Sequence, residues 1–168
     1  MAKKIALVGI VFVIAAGVMF MMMRRSRMMN AGSYSSGGLV AVTADGTAIP
    51  VPPALAAASK LPENTALQEA GGLLIALGIS PYPPSGTQAT SFEVSLSDAN
   101  GQAVSDATIS LDLTMPAMPM PPNQLEMTAG QAGKYQASGY FTMRGLWRIE
   151  VIITRGGQNQ SVFYYVGL

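Results

Sequence analysis

The sequence predicts an all-β domain, an immunoglobulin-like antiparallel β-sandwich of about seven strands, preceded by a single N-terminal transmembrane helix. Three observations predict the sandwich. From Leu73 onward, short runs alternate between apolar and polar residues, which is typical of half-buried strands. Turn signals rich in glycine, proline and asparagine separate these runs roughly every 8–12 residues. Nothing between them has a helical pattern, so the crossovers that a parallel sheet needs are missing.

The first segment, residues 1–27, has the composition of a membrane anchor with flanking charges. Nineteen consecutive uncharged residues, 5–23, would reach about 28 Å as a helix, close to the hydrocarbon thickness of a bilayer. The run ends in methionines and arginine rather than in small residues, which favours an uncleaved anchor over a signal peptide. Lysines before the run and arginines after it nearly cancel, so the charge pattern alone leaves the orientation open.

The next two segments lead from the anchor to the regular strands. Residues 28–38 are small, polar and glycine-rich, which predicts a flexible tether. Residues 39–72 read as an irregular segment, in which Asp45-Gly46 indicates a short hairpin and the alanine-rich part indicates helical turns broken at Pro62. The predicted sandwich then occupies residues 73–168.

The strand candidates follow one another with a turn between each pair. The first is a continuous apolar run closed by SPYPPSG, and the second and third alternate strictly on either side of DANG. The fourth is short, and AGQAG and RGGQNQ introduce the fifth and the seventh. Trp147, the only tryptophan, is expected in the core. The seven runs are residues 73–79, 90–97, 107–114, 124–128, 134–142, 146–154 and 161–167.

Composition excludes several functions. After the first 36 residues, five lysines and arginines stand against nine aspartates and glutamates, a net charge of −4, so no basic patch for nucleic acid is expected. The chain has no cysteine and no histidine, so the residues of the common catalytic nucleophile–base pairs are missing. We therefore expect neither an enzyme nor a small-molecule substrate. Asp98, Asp106 and Asp112 read as turn and surface residues, because no acidic loop has the spacing of a calcium site.

Methionine and proline concentrate in DLTMPAMPMPPNQLEM, residues 112–127. Strand alternation makes Met115 the last inward residue of its strand. The prolines that follow remove ladder donors, so an extended loop or sheet edge is expected, with Met118 and Met120 toward the same side. Met127 falls in the next strand and Met143 just after GYFT, both expected near the same end of the sandwich.

These methionines allow three interpretations. Thioether sulfur is neutral and polarizable, so the group could bind Cu(I) or Ag(I), whereas Cu(II) and Zn(II) lack histidine and cysteine ligands. The side chains could instead fill the open end of the sandwich, as methionine commonly does. They could also form an adaptable surface for a protein partner.

Several motifs together resemble the YtkA-like domain, which is related to the FixH-like proteins, over about residues 73–166. The matching positions are Met115, Met118 and Met120, then Gly133 and Tyr135, then Phe141, Met143, Gly145 and Trp147. The resemblance implies an immunoglobulin-like, extracytoplasmic sandwich on a membrane anchor, with the N-terminus in the cytoplasm. It also implies copper handling, or an accessory role for copper-containing membrane oxidases.

Two functional hypotheses follow. In the first, a copper accessory module holds Cu(I) with Met115, Met118 and Met120, with Met127 or Met143 completing the site, and passes it to a membrane metalloprotein. In the second, the protein is a non-catalytic structural subunit of a respiratory or photosynthetic membrane complex, and the Pro/Met loop is a protein contact. In both, the partner is an integral membrane protein complex.

Overall fold

The computed structural model describes residues 38–50 and 62–168. The predicted anchor, all of the tether except Gly38, and the alanine-rich residues 51–61 lie outside this part. The described residues form ten strands. They are β1 (Val40–Val42), β2 (Thr65–Ala70), β3 (Leu73–Ser80), β4 (Thr90–Asp98), β5 (Thr108–Thr114), β6 (Gln124–Glu126), β7 (Thr128–Ala129), β8 (Lys134–Gly139), β9 (Leu146–Arg155) and β10 (Gln158–Gly167). Within these residues, no helix has the length and apolar character needed to cross a membrane.

The strands form two five-stranded sheets. The first sheet has the order β1-β10-β9-β5-β6 and the second the order β2-β3-β4-β8-β7. All the strand pairs are antiparallel. The order β3-β4-β8-β7 opposite β5-β9-β10 matches the A-B-E-D and C-F-G sheets of the immunoglobulin fold. The predicted antiparallel β-sandwich is confirmed, and each of the seven predicted runs overlaps a strand.

Strand β2 corrects the expectation of helical turns after Pro62. The segment TALQEA pairs with β3 through Gly71 and Gly72, whose φ angles are +57° and +75°. Positive φ at both central residues defines a type I′ hairpin turn, which matches the twist of the flanking strands. Pairing with β3 therefore overrides the helix propensity of this segment. Because β1 belongs to the first sheet and β2 to the second, the sandwich begins before Leu73.

Strand β1 leads into a tight turn at Asp45-Gly46. The Gly46 N–H donates to the Thr43 carbonyl at 2.9 Å, and Ala48 then bridges back to Val42. The side chain of Gln68 in β2 donates to the Val42 carbonyl at 3.1 Å. This buried hydrogen bond joins the two sheets at their β1 and β2 edges.

The core fills the space between the sheets with the inner positions of the alternating strands. Phe92, Phe141 and Trp147 are each fully buried, and their rings meet edge to face with centroids 5.7 and 5.3 Å apart. The Tyr164 hydroxyl donates to the Ile75 carbonyl of the other sheet at 3.1 Å, and burial raises its pKa. Trp147 is thus the core tryptophan that the sequence predicts.

Strand direction gathers three loops at one end of the sandwich, which we call the methionine end: residues 81–89, 115–123 and 140–145. The pairs Thr114–Arg148 and Thr90–Gly139 place the end of β5 beside the start of β9, and the start of β4 beside the end of β8. Since Gly167 pairs with Leu146, β10 also ends here, and β1, antiparallel to β10, begins here.

Candidate functional site

Four of the five methionines proposed as ligands lie at the methionine end. Met115, Met118 and Met120 belong to loop 115–123, and Met143 belongs to loop 140–145. The two loops come from neighbouring strands of the first sheet, because β5 pairs with β9. The fold therefore brings together side chains that are up to 28 residues apart in the sequence.

Loop 115–123 opens with a tight turn instead of the predicted extended segment. The Met118 N–H donates to the Met115 carbonyl at 3.1 Å, and the two residues form an antiparallel bridge. Pro116 occupies the second position of this turn, where the fixed φ of proline is favourable. Proline removes a ladder donor, as predicted, but it also suits a reversal of the chain, and the reversal is what forms.

Met118 and Met120, which follow this turn, differ in exposure. Met118 is 47% exposed, whereas Met120 packs against the hydrophobic core and is only partly exposed. That both side chains lie toward the same side of the loop stays a prediction.

Met115 joins the two loops. Its side chain packs against the core, as the strand alternation predicts. A β-carbon at Gly145 would lie 2.8 Å from the Met115 methyl carbon, and Gly145 has φ of +135°. Glycine at this position therefore allows both the backbone conformation and the close approach of Met115. Gly145 also exchanges two backbone hydrogen bonds with Leu168, at 3.3 and 3.0 Å, which fixes this part of the loop.

The backbone of Met143 is fixed by a hydrogen bond, whereas its side chain is exposed. The indole N–H of Trp147 donates to the Met143 carbonyl at 3.0 Å. Trp147 is itself fully buried, so the loop is tied to the core directly beneath it. The Met143 side chain is 38% exposed and accessible to a ligand or partner.

Met127 lies away from the other four methionines. It is only 9% exposed, and its N–H donates to the Ile109 carbonyl at 2.9 Å. Ile109 precedes Met115 by six residues in the same strand direction, about 20 Å at the usual rise per residue. Met127 also lies between β6 and β7 rather than within a strand. The expectation that it shares an end with Met118 is therefore wrong.

The methionine end provides neutral thioether sulfur atoms as possible ligands for a metal ion. Nowhere in residues 38–50 and 62–168 do three histidine, cysteine, aspartate or glutamate side chains gather in a way that could hold a metal ion. Hard cations such as Ca²⁺ need oxygen ligands, and Zn²⁺ prefers thiolate and imidazole. Two exposed thioethers with two further thioethers on the same loops instead suit a soft monovalent ion such as Cu(I).

Tyr140 is a residue of this end that sequence analysis missed. It is 58% exposed and directly follows β8, on loop 140–145 with Met143. The signal was present in the alternation of β8: Tyr135 and Gly139 are buried, so the even-numbered positions, including Tyr140, face outward.

Asp98 and Asp106 take the turn and surface positions that the sequence predicts, whereas Asp112 is half-buried within β5 and its Oδ1 has no hydrogen-bond partner among the described residues. The Asp98 carboxylate accepts hydrogen bonds from the backbone N–H groups of Asn100 and Gln102, at 2.8 and 2.9 Å, and so caps the turn after β4. Asp106 forms an exposed ion pair with Arg155 at 2.9 Å. Asp112 lies on the outer face of the first sheet, opposite Glu150.

Comparison with known proteins identifies the family. The sequence model of the YtkA-like family matches residues 68–152, which is 85 of the 168 residues. The match runs from within β2 to within β9 and includes all three loops of the methionine end. No curated protein and no solved structure matches the chain. Because the family model covers half of the chain, including the loops that carry Met118 and Met143, this protein belongs to the YtkA-like family.

Proposed function

We propose that this protein is a membrane-anchored, extracytoplasmic accessory protein that binds Cu(I) through methionine thioethers. It would deliver the ion to a membrane metalloprotein or assist the assembly of one. One observation carries the copper part of the proposal: the exposed thioethers of Met118 and Met143 lie on two loops held together by the contact between Met115 and Gly145. The anchor, with the N-terminus in the cytoplasm, is proposed from the apolar run 5–23 and from the family resemblance.

The donor set limits what these residues can do. A thioether carries no proton at neutral pH, so Cu(I) binding here would release none and would depend little on pH. Met118 and Met143 are the accessible ligands, and Met115 and Met120 are the candidates for a third sulfur because they share the loop of Met118. Met127 is not among the proposed ligands, because its distance along the strand separates it from the others.

A competition titration with a Cu(I) chelator tests this proposal, using the full chain in mild detergent without oxygen. Leucine keeps the size and apolar character of methionine but removes the sulfur. We expect Met118→Leu/Met143→Leu to lower the Cu(I) affinity at least about tenfold, since ligands are lost. Seven methionines precede residue 30, and they stay unchanged in every variant, so a difference between variants reports on the loops.

The matched control is Met127→Leu, which removes a sulfur from the buried methionine outside the methionine end. It should leave the Cu(I) affinity unchanged. If the double variant binds Cu(I) as tightly as the parent chain, the copper proposal is wrong. If Met127→Leu weakens binding as much as the double variant, the ligand assignment is wrong.

A second candidate function is supported by the exposed side chains of Met118, Tyr140 and Met143. The protein would then be a non-catalytic structural subunit of a membrane complex, with the methionine end as a protein contact. Purification in mild detergent distinguishes this role. Migration of the chain at its own mass, without associated subunits, would contradict it.

A further inference from the structure

The large exposed apolar side chains of the described residues share one location. They are Met118 at 47%, Tyr140 at 58% and Met143 at 38% exposed, all on loops 115–123 and 140–145. Apolar side chains scattered singly over a surface need no explanation, but several gathered at one end of a domain indicate an interaction surface. Copper ligation gives no reason for Tyr140, so the surface extends beyond the proposed metal ligands.

The charge of this end differs from that of the rest of the domain. The three loops of the methionine end contain no aspartate or glutamate, and their one charged residue is Arg144, which is exposed. Burial and the nearby Glu63 carboxylate raise the pKa of Tyr82, which places that acid on the β2 side of this end. The nine acids after residue 36 outnumber the five bases. A negatively charged lipid surface would therefore repel most of the domain and attract Arg144.

The side chains also suit the headgroup region of a bilayer rather than bulk water. Tyrosine combines an apolar ring with a polar hydroxyl and is enriched at membrane interfaces. Methionine is flexible and apolar, and arginine can keep its guanidinium at the headgroups while its stem lies deeper. The exposed prolines of loop 115–123 have no N–H donor to leave unpaired where water is scarce, and they are Pro116, Pro119, Pro121 and Pro122.

The chain also enters the sandwich at this end, because β1 begins there. Fourteen residues, 24–37, separate the predicted membrane run from Gly38. Fourteen residues of any chain reach about 46–50 Å at full extension. Strand β10 has ten residues, about 33 Å at the usual rise, so docking by the opposite end would use about two thirds of that reach, whereas docking by the methionine end would use little of it. The number of residues before Gly38 is therefore accommodated most easily with the methionine end at the bilayer.

We propose that the methionine end is a membrane-docking surface, in which Met118, Tyr140 and Met143 enter the headgroup region of a lipid bilayer beside Arg144. The proposal rests on the membrane anchor of the proposed function but not on copper binding. Docking would hold the two exposed thioethers at the bilayer surface, where the metal site of an integral membrane protein can be reached.

Site-specific fluorescence in vesicles tests the docking. The chain has no cysteine, so one cysteine at a time can carry an environment-sensitive label. Thr142→Cys places the label on loop 140–145, and Asn100→Cys places it on the turn after β4, at the opposite end. The full chain is reconstituted in vesicles of phosphatidylcholine and phosphatidylglycerol that contain a headgroup-level spin-labelled lipid. We expect the label at position 142 to be quenched at least about twofold more than the label at position 100.

Two variants separate docking from copper binding. Met118→Gln/Tyr140→Ser/Met143→Gln should reduce quenching at position 142 to the level at position 100. Met118→Leu/Met143→Leu keeps the apolar surface, so it should retain the quenching although it lacks the proposed copper ligands. The emission of the buried Trp147 verifies the fold of each variant, since all three positions are exposed.

Each remaining outcome contradicts a different part of the reasoning. Equal quenching at positions 142 and 100, in a chain that floats with the vesicles, overturns the docking and leaves the anchor and the copper proposal standing. Quenching that survives the polar triple variant overturns the role of the three side chains. If the label at position 142 becomes shielded only after a solubilised membrane complex is added, the methionine end binds a protein partner and not lipid. A chain that does not float with vesicles overturns the anchor and the docking together.

Discussion

The burial of the methionines predicts which of them stabilise the sandwich. Met127 is 9% exposed, and burying a methionine side chain contributes about 1.5–3 kcal/mol, to which truncation adds the cost of a cavity. Because its neighbours Glu126 and Thr128 are exposed, the site can partly collapse, so we expect Met127→Ala to cost about 2–3 kcal/mol. Met118 is 47% exposed, and Met118→Ala should cost about 0.5 kcal/mol or less.

Urea denaturation followed by tryptophan fluorescence measures this difference. Trp147 is the only tryptophan and is fully buried, so its emission reports on unfolding of the sandwich alone. With a urea slope of about 2 kcal/mol per molar, the midpoint of Met127→Ala should fall by about 1–1.5 M and that of Met118→Ala by about 0.25 M at most. Met127→Leu, which keeps the volume, should cost less than about 1.5 kcal/mol. Equal losses for Met127→Ala and Met118→Ala would refute the division into packed and exposed methionines.

Three further changes test other parts of the fold by the same urea midpoint. Tyr135→Phe removes a hydroxyl that donates to the Val104 carbonyl at 3.1 Å and accepts a hydrogen bond from the Ala107 N–H. The substitution should cost about 1–3 kcal/mol of unfolding free energy, whereas no loss would show that water replaces the hydroxyl. Gly71→Ala places a side chain at φ of +57° against Gln160 and should cost about 1–2 kcal/mol, whereas an unchanged midpoint would contradict the turn geometry. Hydrogen bonds from the Lys134 ammonium and, to a lesser extent, from the Gln136 amide hold the pKa of Glu93 below its ordinary 4.5. The stability that these contacts give the folded chain is therefore present above that value and is lost as the pH falls through the folded pKa. The carboxylate is 39% exposed, so screening limits the effect to about 0.5 kcal/mol, and Glu93→Gln should lose less stability on acidification than the parent chain.

Strand identity could be predicted because its signal is local. Phe92, Val94 and Leu96 alternate with polar residues, and this alternation specifies both the strand and its buried face. The same parity extends to Met115 and makes it the last inward residue of β5. In these strands the local pattern and the tertiary structure agree, so reading a few neighbouring residues is enough.

Two local predictions failed because another part of the chain decides the outcome. The alanine-rich TALQEA has the propensity of a helix, and it becomes β2 only because Gly71 and Gly72 turn it against β3. Pro116 indicated the end of the ladder, but whether the chain then extends or reverses depends on the bridge between Met115 and Met118.

The candidate site shows the same division. By itself the sequence determined the strands from β3 onward and their buried faces, and it placed Met115, Met118 and Met120 in one short segment, because these follow from residue type and local order. The tertiary structure alone decided that Met118, Tyr140 and Met143 lie exposed at one end while Met127 is buried elsewhere. Which loops meet depends on strand register and on which sheet each strand joins, and those are set by contacts between residues far apart in the chain. Separation in sequence therefore says little about separation in space: Met127 follows Met118 by nine residues and is remote from it, whereas Met143 follows by 25 and lies at the same end.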